Sequence, residues 1–254
     1  MFLEVHSALR LESLDQRVDA GNSLVSIVEE EDQLGAFLIH HFLGASLKSK
    51  RKVIFVGLEQ SLGHYQAVAV KNGVNLHKAR DEGQLVFLEG VKSYADAYLH
   101  QNVRVGFDFV ARPRERDVMR TLFKQIEKEV SDGATVIVDK LSVLLSVCVP
   151  ADSVIVFARY LHSLAARARC DVVILSRRDP DEVDGPLNRL ASSLSRSSDL
   201  AIRCWPLSSG KSGSVTGNLS FEYSDGGCDV GRFQFGVEDK TVRVFALGAS
   251  RDVL

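Results

Sequence analysis

Residues 26–43, SIVEEEDQLGAFLIHHFL, decide the fold: a β-branched apolar run, a sharp polar turn, then apolar residues at helical spacing. α/β proteins use this strand–turn–helix layout to cradle a phosphate on a helix N-terminus. Here, however, the turn is four acids, Glu29, Glu30, Glu31 and Asp32. A working phosphate loop needs glycines so that backbone N–H groups can close on the anion, a Lys for the β and γ phosphates, and a Ser or Thr for Mg²⁺. Of that set only Gly35 stands in place, with no Lys or Ser directly after it. Like charges about 4 Å apart repel by about 1 kcal/mol in water and about 4 kcal/mol at an effective dielectric of 20. Several carboxylates facing a polyphosphate therefore cancel the roughly 4 kcal/mol that a millimolar affinity represents. The turn predicts no ATP binding. Its plain structural role is to offset the dipole of the following helix and cap its free N–H groups, which suits Glu31 and Asp32. Its spacing matches no chelating loop.

Outward from this stretch the alternation continues. KVIFVGL (52–58) and QLVFLEG (84–90) read as buried strands, and QSLGHYQAVAVKNG between them as a loop and a helix ending at Gly73. The pattern fades over 91–112, which reads as a variable insertion or loop. Pro113 then opens a helix with Val118, Met119, Leu122, Phe123, Ile126 and Val130 on one face. TVIVDK is the next strand, VPADS leads a helix through Arg169, and DVVILS is a further strand. Continuous apolar strands alternating with helices predict an α/β fold with a mostly parallel central sheet, flanked by helices on both faces. From residue 199 onward, DLAIRCW, NLSFEYS, RFQFGV and TVRVFAL predict a C-terminal antiparallel meander that extends the sheet.

Composition narrows the function. The 254 residues carry a formal net charge of −2, so no basic field gathers nucleic acid at long range. Cys148, Cys170, Cys204 and Cys228 lie far apart without a CxxC pair, which argues against zinc and against a disulfide framework. Charged residues interrupt the apolar start before a signal peptide can form, and Asp139, Lys140, Pro150 and Asp152 break the most apolar stretch before it reaches a bilayer span. A soluble, intracellular protein without membrane contact is expected.

Other candidate sites each have a plain structural role beside the functional one. Asp139 ends TVIVD, where a RecA-type ATPase carries its Mg²⁺-linked acid; with no Lys opposite, an N-cap for LSVLLS is the favoured reading. SSGKSGS (208–214) invites a Walker A comparison, but the position five residues before Gly210 is Trp205 and no helix follows, so it reads as a hairpin loop. His40 and His41 point about 100° apart on a helix and cannot share a metal without a third ligand. His64 and Tyr65 follow a strand's C-terminal end, where α/β sheets place ligands, without a GxSxG elbow. Arg177, Arg178 and Arg189 are candidate RNA contacts, although Asp179, Asp181, Glu182 and Asp184 in the same loop make its net charge non-basic.

Taken in order, EDQLGAFLIHHFL, KVIFVGLEQSLGHY, QLVFLEG, VIVDKLSVLLS and DKTVRVFALGAS resemble the family of sixth subunits of the Elongator complex, from about residue 24 to residue 254 and less closely across 91–112 and 204–231. The resemblance implies one RecA-like domain over 1–254, with 1–20 as an N-terminal segment and 199–254 as the meander extension. It implies that the phosphate-loop position (Glu29, Glu30, Glu31, Asp32, Gly35) and the Walker B position (Asp139) are degenerate. It also implies a heterohexameric ring holding two copies each of this subunit and of the similar fourth and fifth subunits. Such a ring docks on the catalytic core of Elongator, which modifies wobble uridines of tRNA, in the cytoplasm and also the nucleus. The carbon-transfer chemistry, with S-adenosylmethionine, an iron–sulfur cluster and acetyl-CoA, belongs to another subunit, so no catalytic residue, cofactor or metal is expected here. RecA-type domains set the face around the nucleotide site against the next subunit, so the acidic turn is expected to pair with basic residues of a neighbour. Two rival readings stay open: an active RecA-like ATPase whose phosphate loop a partner supplies, and an α/β enzyme binding a small ligand near His64 or Glu59.

Overall fold

Strand β1 (Leu24–Glu29) is apolar and β-branched on both faces, and all six of its residues are buried. A strand of that kind belongs at the centre of a sheet covered on both sides. In the computed structural model, which describes residues 2–11, 22–32, 34–100, 106–115, 117–208, 214–224 and 230–247, β1 does stand inside a nine-stranded sheet. The other strands are β2 (Val53–Gly57), β3 (Leu85–Glu89), β4 (Thr135–Val138), β5 (Asp171–Arg177), β6 (Leu200–Trp205), β7 (Gly217–Tyr223), β8 (Val230–Val237) and β9 (Val242–Ala246), in the order β3-β2-β4-β5-β1-β6-β7-β8-β9. Pairing is parallel from β3 to β6 and antiparallel from β6 to β9. The sheet thus has the predicted α/β, RecA-like plan. Its change of direction falls one strand later than the sequence suggested, because β6 runs parallel to β1.

Alternate side chains of each strand feed two cores. On one face Val25, Ile27, Phe55 and Ile202 pack against helices α1 (Leu3–Ala8), α2 (Ala36–Lys48), α3 (Leu62–Lys71) and α4 (Leu76–Asp81). On the other face Leu24, Ile54, Val136 and Ile174 pack against α6 (Arg120–Glu129), α7 (Val143–Ser146), α8 (Ala151–Ala168) and α9 (Pro186–Ser197). Over the meander only the first face is apolar, with Leu219, Phe221 and Phe235 buried in that core. The alternating burial of β7 is what an antiparallel sheet with one solvated side shows.

Two expectations are corrected. Residues 91–112 contain a helix, α5 (Gly90–His100), and a short 3-10 turn, Asp108–Val110, rather than only loop. The buried side of α5 is made by Gly90 and Ser93, small residues that leave no apolar stripe to read. A Cβ at Gly90 would lie 2.6 Å from the Gly57 carbonyl oxygen, so the close approach itself demands glycine. The helix predicted to open at Pro113 begins instead at Arg120. Before it the chain turns through i→i+3 bonds, from Glu115 N–H to Arg112 O, Val118 N–H to Glu115 O and Arg120 N–H to Asp117 O. That winding brings Val118 and Met119 into the core at nearly helical spacing.

Candidate functional site

Parallel sheets present their ligand sites at the C-terminal ends of their strands. β1 ends there on Glu29, whose side chain is fully buried. Its Oε2 accepts the Gly35 N–H at 2.8 Å. Gly35 is the N-cap of α2, so the position where a phosphate would meet that helix N-terminus holds the chain's own carboxylate. Burial raises the Glu29 carboxyl above its ordinary value, opposed chiefly by Lys140. A Cβ on Gly35 would come to 3.0 Å from Leu175 Cδ1 and 3.3 Å from that same Glu29 Oε2, so the packing around the buried carboxylate leaves little room for a side chain here.

The acidic turn is not left unanswered, as the sequence had suggested. Lys140, immediately after β4, places its Nζ 2.8 Å from Glu29 Oε1, 2.8 Å from Asp32 Oδ1 and 2.7 Å from Glu59 Oε1. The lysine side chain is 4% exposed. Burial alone would pull its pKa down, but the bonds to Asp32, Glu29 and Glu59 outweigh this and hold it above the ordinary lysine value. The same bond to Lys140 holds the Asp32 carboxyl below its usual range. Asp32 also takes Arg177 Nη1 at 3.0 Å, and Glu30 Oε1 takes Arg203 Nε at 2.9 Å. Among the described residues only Glu31 of the four acids has no charged partner.

Asp139 departs from its expected role. It does not cap α7, whose N-cap Ser142 makes no side-chain cap bond. Its two oxygens accept the N–H groups of Leu58 (2.7 Å), Glu59 (3.2 Å) and Gln60 (3.2 Å), and the Tyr65 hydroxyl at 3.0 Å. Three successive N–H groups after β2 form a nest of the kind that elsewhere holds an anion. Here Asp139 fills it. Burial pushes the Asp139 carboxyl up to about 6 against the pull of these four bonds. Glu59, a candidate for small-ligand binding, is taken up by Lys140, and the His64 ring packs against His40 and Tyr65.

The three arginines expected to touch RNA do not form one cluster. Arg177 is on Asp32, and Arg189 is 2.6 Å from Asp152 on α8. Arg178 lines a separate groove beside α9. Residues 209–213 of SSGKSGS lie outside the described residues, as does Cys228; β6 and β7 on either side of that loop pair antiparallel, as a hairpin requires. Among the described residues no His, Cys, Asp and Glu group could hold a metal ion, and no helix is long and apolar enough to cross a membrane. Sequence reasoning missed Lys140 as counter-ion and Arg203 as partner of Glu30. The signal for Lys140 was its place directly after a strand-ending acid, but β4 and β1 are separated by β5, an order that the sequence does not print.

Comparison with known proteins agrees with this framework. A family model described as "Elongation complex protein 6" matches residues 2–232. The chain is 36% identical over 233 residues to Elongator complex protein 6 of Danio rerio, covering 86% of this chain and 88% of the relative. It is 33% identical to the protein of that name from Rattus norvegicus and 32% identical to that from Homo sapiens, each over the full length of both chains.

Proposed function

This chain belongs to the Elongation complex protein 6 family, and from that membership we propose that it is a non-catalytic subunit of the Elongator complex. In this reading it joins two similar RecA-like subunits, the fourth and fifth, in a heterohexameric ring that supports tRNA wobble-uridine modification in the cytoplasm. A mixed ring of like-sized subunits closes through head-to-tail contacts, for which each subunit needs shape and not hydrolysis.

The observation that carries the proposal is that the chain fills both of its anion-accepting positions with its own carboxylates. Glu29 occupies the N-terminus of α2, Asp139 occupies the nest after β2, and Lys140 neutralises the first of these from within. A nucleotide entering here must displace buried, paired charges, and removing a partner from such a pair costs about 3–5 kcal/mol. That is most of the roughly 4–8 kcal/mol that a millimolar to micromolar ligand supplies. The same geometry narrows any contact of the turn with a neighbour to Glu31, since Glu30 and Asp32 already hold arginines of this chain.

Co-expression with the fourth and fifth subunits tests the proposal. A single complex with equal amounts of the three chains is expected, unchanged when Asp139 is replaced by Asn. Elution of this chain alone, under conditions where the other two assemble, would rule out the ring role. Hydrolysis of ATP by the isolated chain, lost on Asp139→Asn, would rule out the non-catalytic one.

A further inference from the structure

Helix α9 lies over β5, β1 and β6. Beyond it the face of β6, β7 and β8 opposite the apolar core forms an open groove of about 440 Å³. The strand registers set its floor. Val28, Arg203, Ser220 and Arg232 stand side by side across β1, β6, β7 and β8, and the next row on that face is Ala201, Glu222 and Val230. Arg196 on α9 and Arg178 after β5 complete the lining. Four guanidinium groups therefore gather on a chain whose net charge is −2. Arg203 holds Glu30, but Arg196 and Arg232 are exposed and have no ion-pair partner among the described residues. Arg178 Nε is buried with no hydrogen-bond acceptor.

We propose that this groove is a docking site for an acidic, amphipathic segment of a partner protein, whose carboxylates pair with Arg178, Arg196 and Arg232 while its apolar side chains rest on Ala201 and Val230. Three observations favour this occupant. Arg203 and Arg232 lie two strand spacings apart, about 10 Å, so the guanidinium groups are spread along a surface and do not converge on one small anion. Ser220 stands between them, and the next row carries Ala201 and Val230, the latter 55% exposed, which suits apolar side chains of a peptide better than a sugar–phosphate backbone. Glu222 stands in the middle of the floor, where it repels a continuous run of phosphates but leaves room between carboxylates spaced along a helix. Arginine forks pair with carboxylates in bidentate fashion, which fixes the segment's register as well as its affinity. The site does not depend on the ring reading, because its residues all belong to this chain.

The test uses the full chain and a fluorescein-labelled helical peptide of Leu on one face and Glu on the other, read by fluorescence anisotropy at low salt. A matched peptide with Gln for Glu and a labelled oligouridylate of equal charge serve as comparisons. The acidic peptide is expected to bind and to lose about tenfold in affinity, about 1.4 kcal/mol, when Arg196 and Arg232 are both replaced by Glu. Arg196→Gln with Arg232→Gln gives a smaller loss in the same direction, and Glu222→Gln tightens binding. Thermal melts of these variants should match the parent, since Arg196, Arg232 and Glu222 are exposed. Equal binding of the Gln peptide, no binding of the acidic peptide, or a preference of the same arginines for the oligouridylate would each overturn the proposal.

Discussion

The acidic turn and the arginine groove meet at Arg203, which lines the second and holds Glu30 of the first, and they treat charge in opposite ways. At the turn, the carboxylates of Glu29 and Asp139 are buried and all their neighbours are spoken for by hydrogen bonds or by Lys140. In the groove Arg196, Arg232 and Glu222 sit on the surface, and Arg196 and Arg232 have no ion-pair partner among the described residues. Burial makes the first region rigid: a charge taken out of water stays only if its partners are fixed, so the arrangement cannot change to admit a ligand without a large cost. Exposure leaves the second region free to bind, since water can be exchanged for a partner's carboxylates at little cost. A position that looks like a ligand site by sequence is thus closed, and a surface with no motif is open.

The comparison is broken most directly at Lys140. Its replacement by Met leaves three carboxylates around an apolar chain, one of them fully buried, and is expected to destabilise the fold by about 3–5 kcal/mol. For a domain of this size that lowers the melting temperature by roughly 6–20 °C, and Glu29→Gln in the same background should restore part of it. A loss below about 1 kcal/mol in a urea titration would mean that the cage carries no weight.

Acid probes the next layer, where α2 meets α3 and α1. Burial lowers His40 to about 4 and His41 to about 3. A histidine whose folded pKa lies below its unfolded one takes up its proton more readily when unfolded. Its stability is therefore complete above about 6.5 and is lost as the pH falls toward those values. Asp139, raised to about 6, works the other way, adding stability at low pH that disappears as the pH rises through 6. Chemical denaturation between pH 7 and 4.5 should show a net fall. His40→Phe should remove up to about 3 kcal/mol of it, and Asp139→Asn should make the fall steeper.

Gly35→Ala sharpens the claim that the turn is packed shut. With contacts of 3.0 Å to Leu175 Cδ1 and 3.2 Å to Ile27 Cγ2, the added methyl is expected to cost about 1–3 kcal/mol, measured by thermal melting. Neutral behaviour would show slack in the site. The smallest effect belongs to the shared residue: Arg203→Ala takes a half-exposed guanidinium away from Glu30, whose side chain is 11% exposed, and should cost about 1 kcal/mol.

The sheet was legible in the sequence because its strands announce themselves: LVSIV, VIFVG and TVIV are continuous apolar runs, and β7 alternates. Helix α5 was not, because Gly90 and Ser93 pack by being small and leave no periodic signal. The acids of the turn were legible as residues but their partners were not. Glu59, Lys140 and Arg203 come from three different strand ends, and which ends meet is fixed by the crossover order β2-β4-β5-β1-β6, a long-range property that no local pattern encodes. The groove was hidden for the same reason, since Arg203 and Arg232 become neighbours only through the registers of β6, β7 and β8.

Calorimetric titration of the isolated full-length chain with Mg²⁺-ATP bears most directly on the self-filled site. No heat of binding is expected up to about millimolar nucleotide. A micromolar affinity that vanishes when Lys140 is replaced by Met, in a variant that still melts cooperatively, would show that the lysine serves a nucleotide and not the chain's own carboxylates.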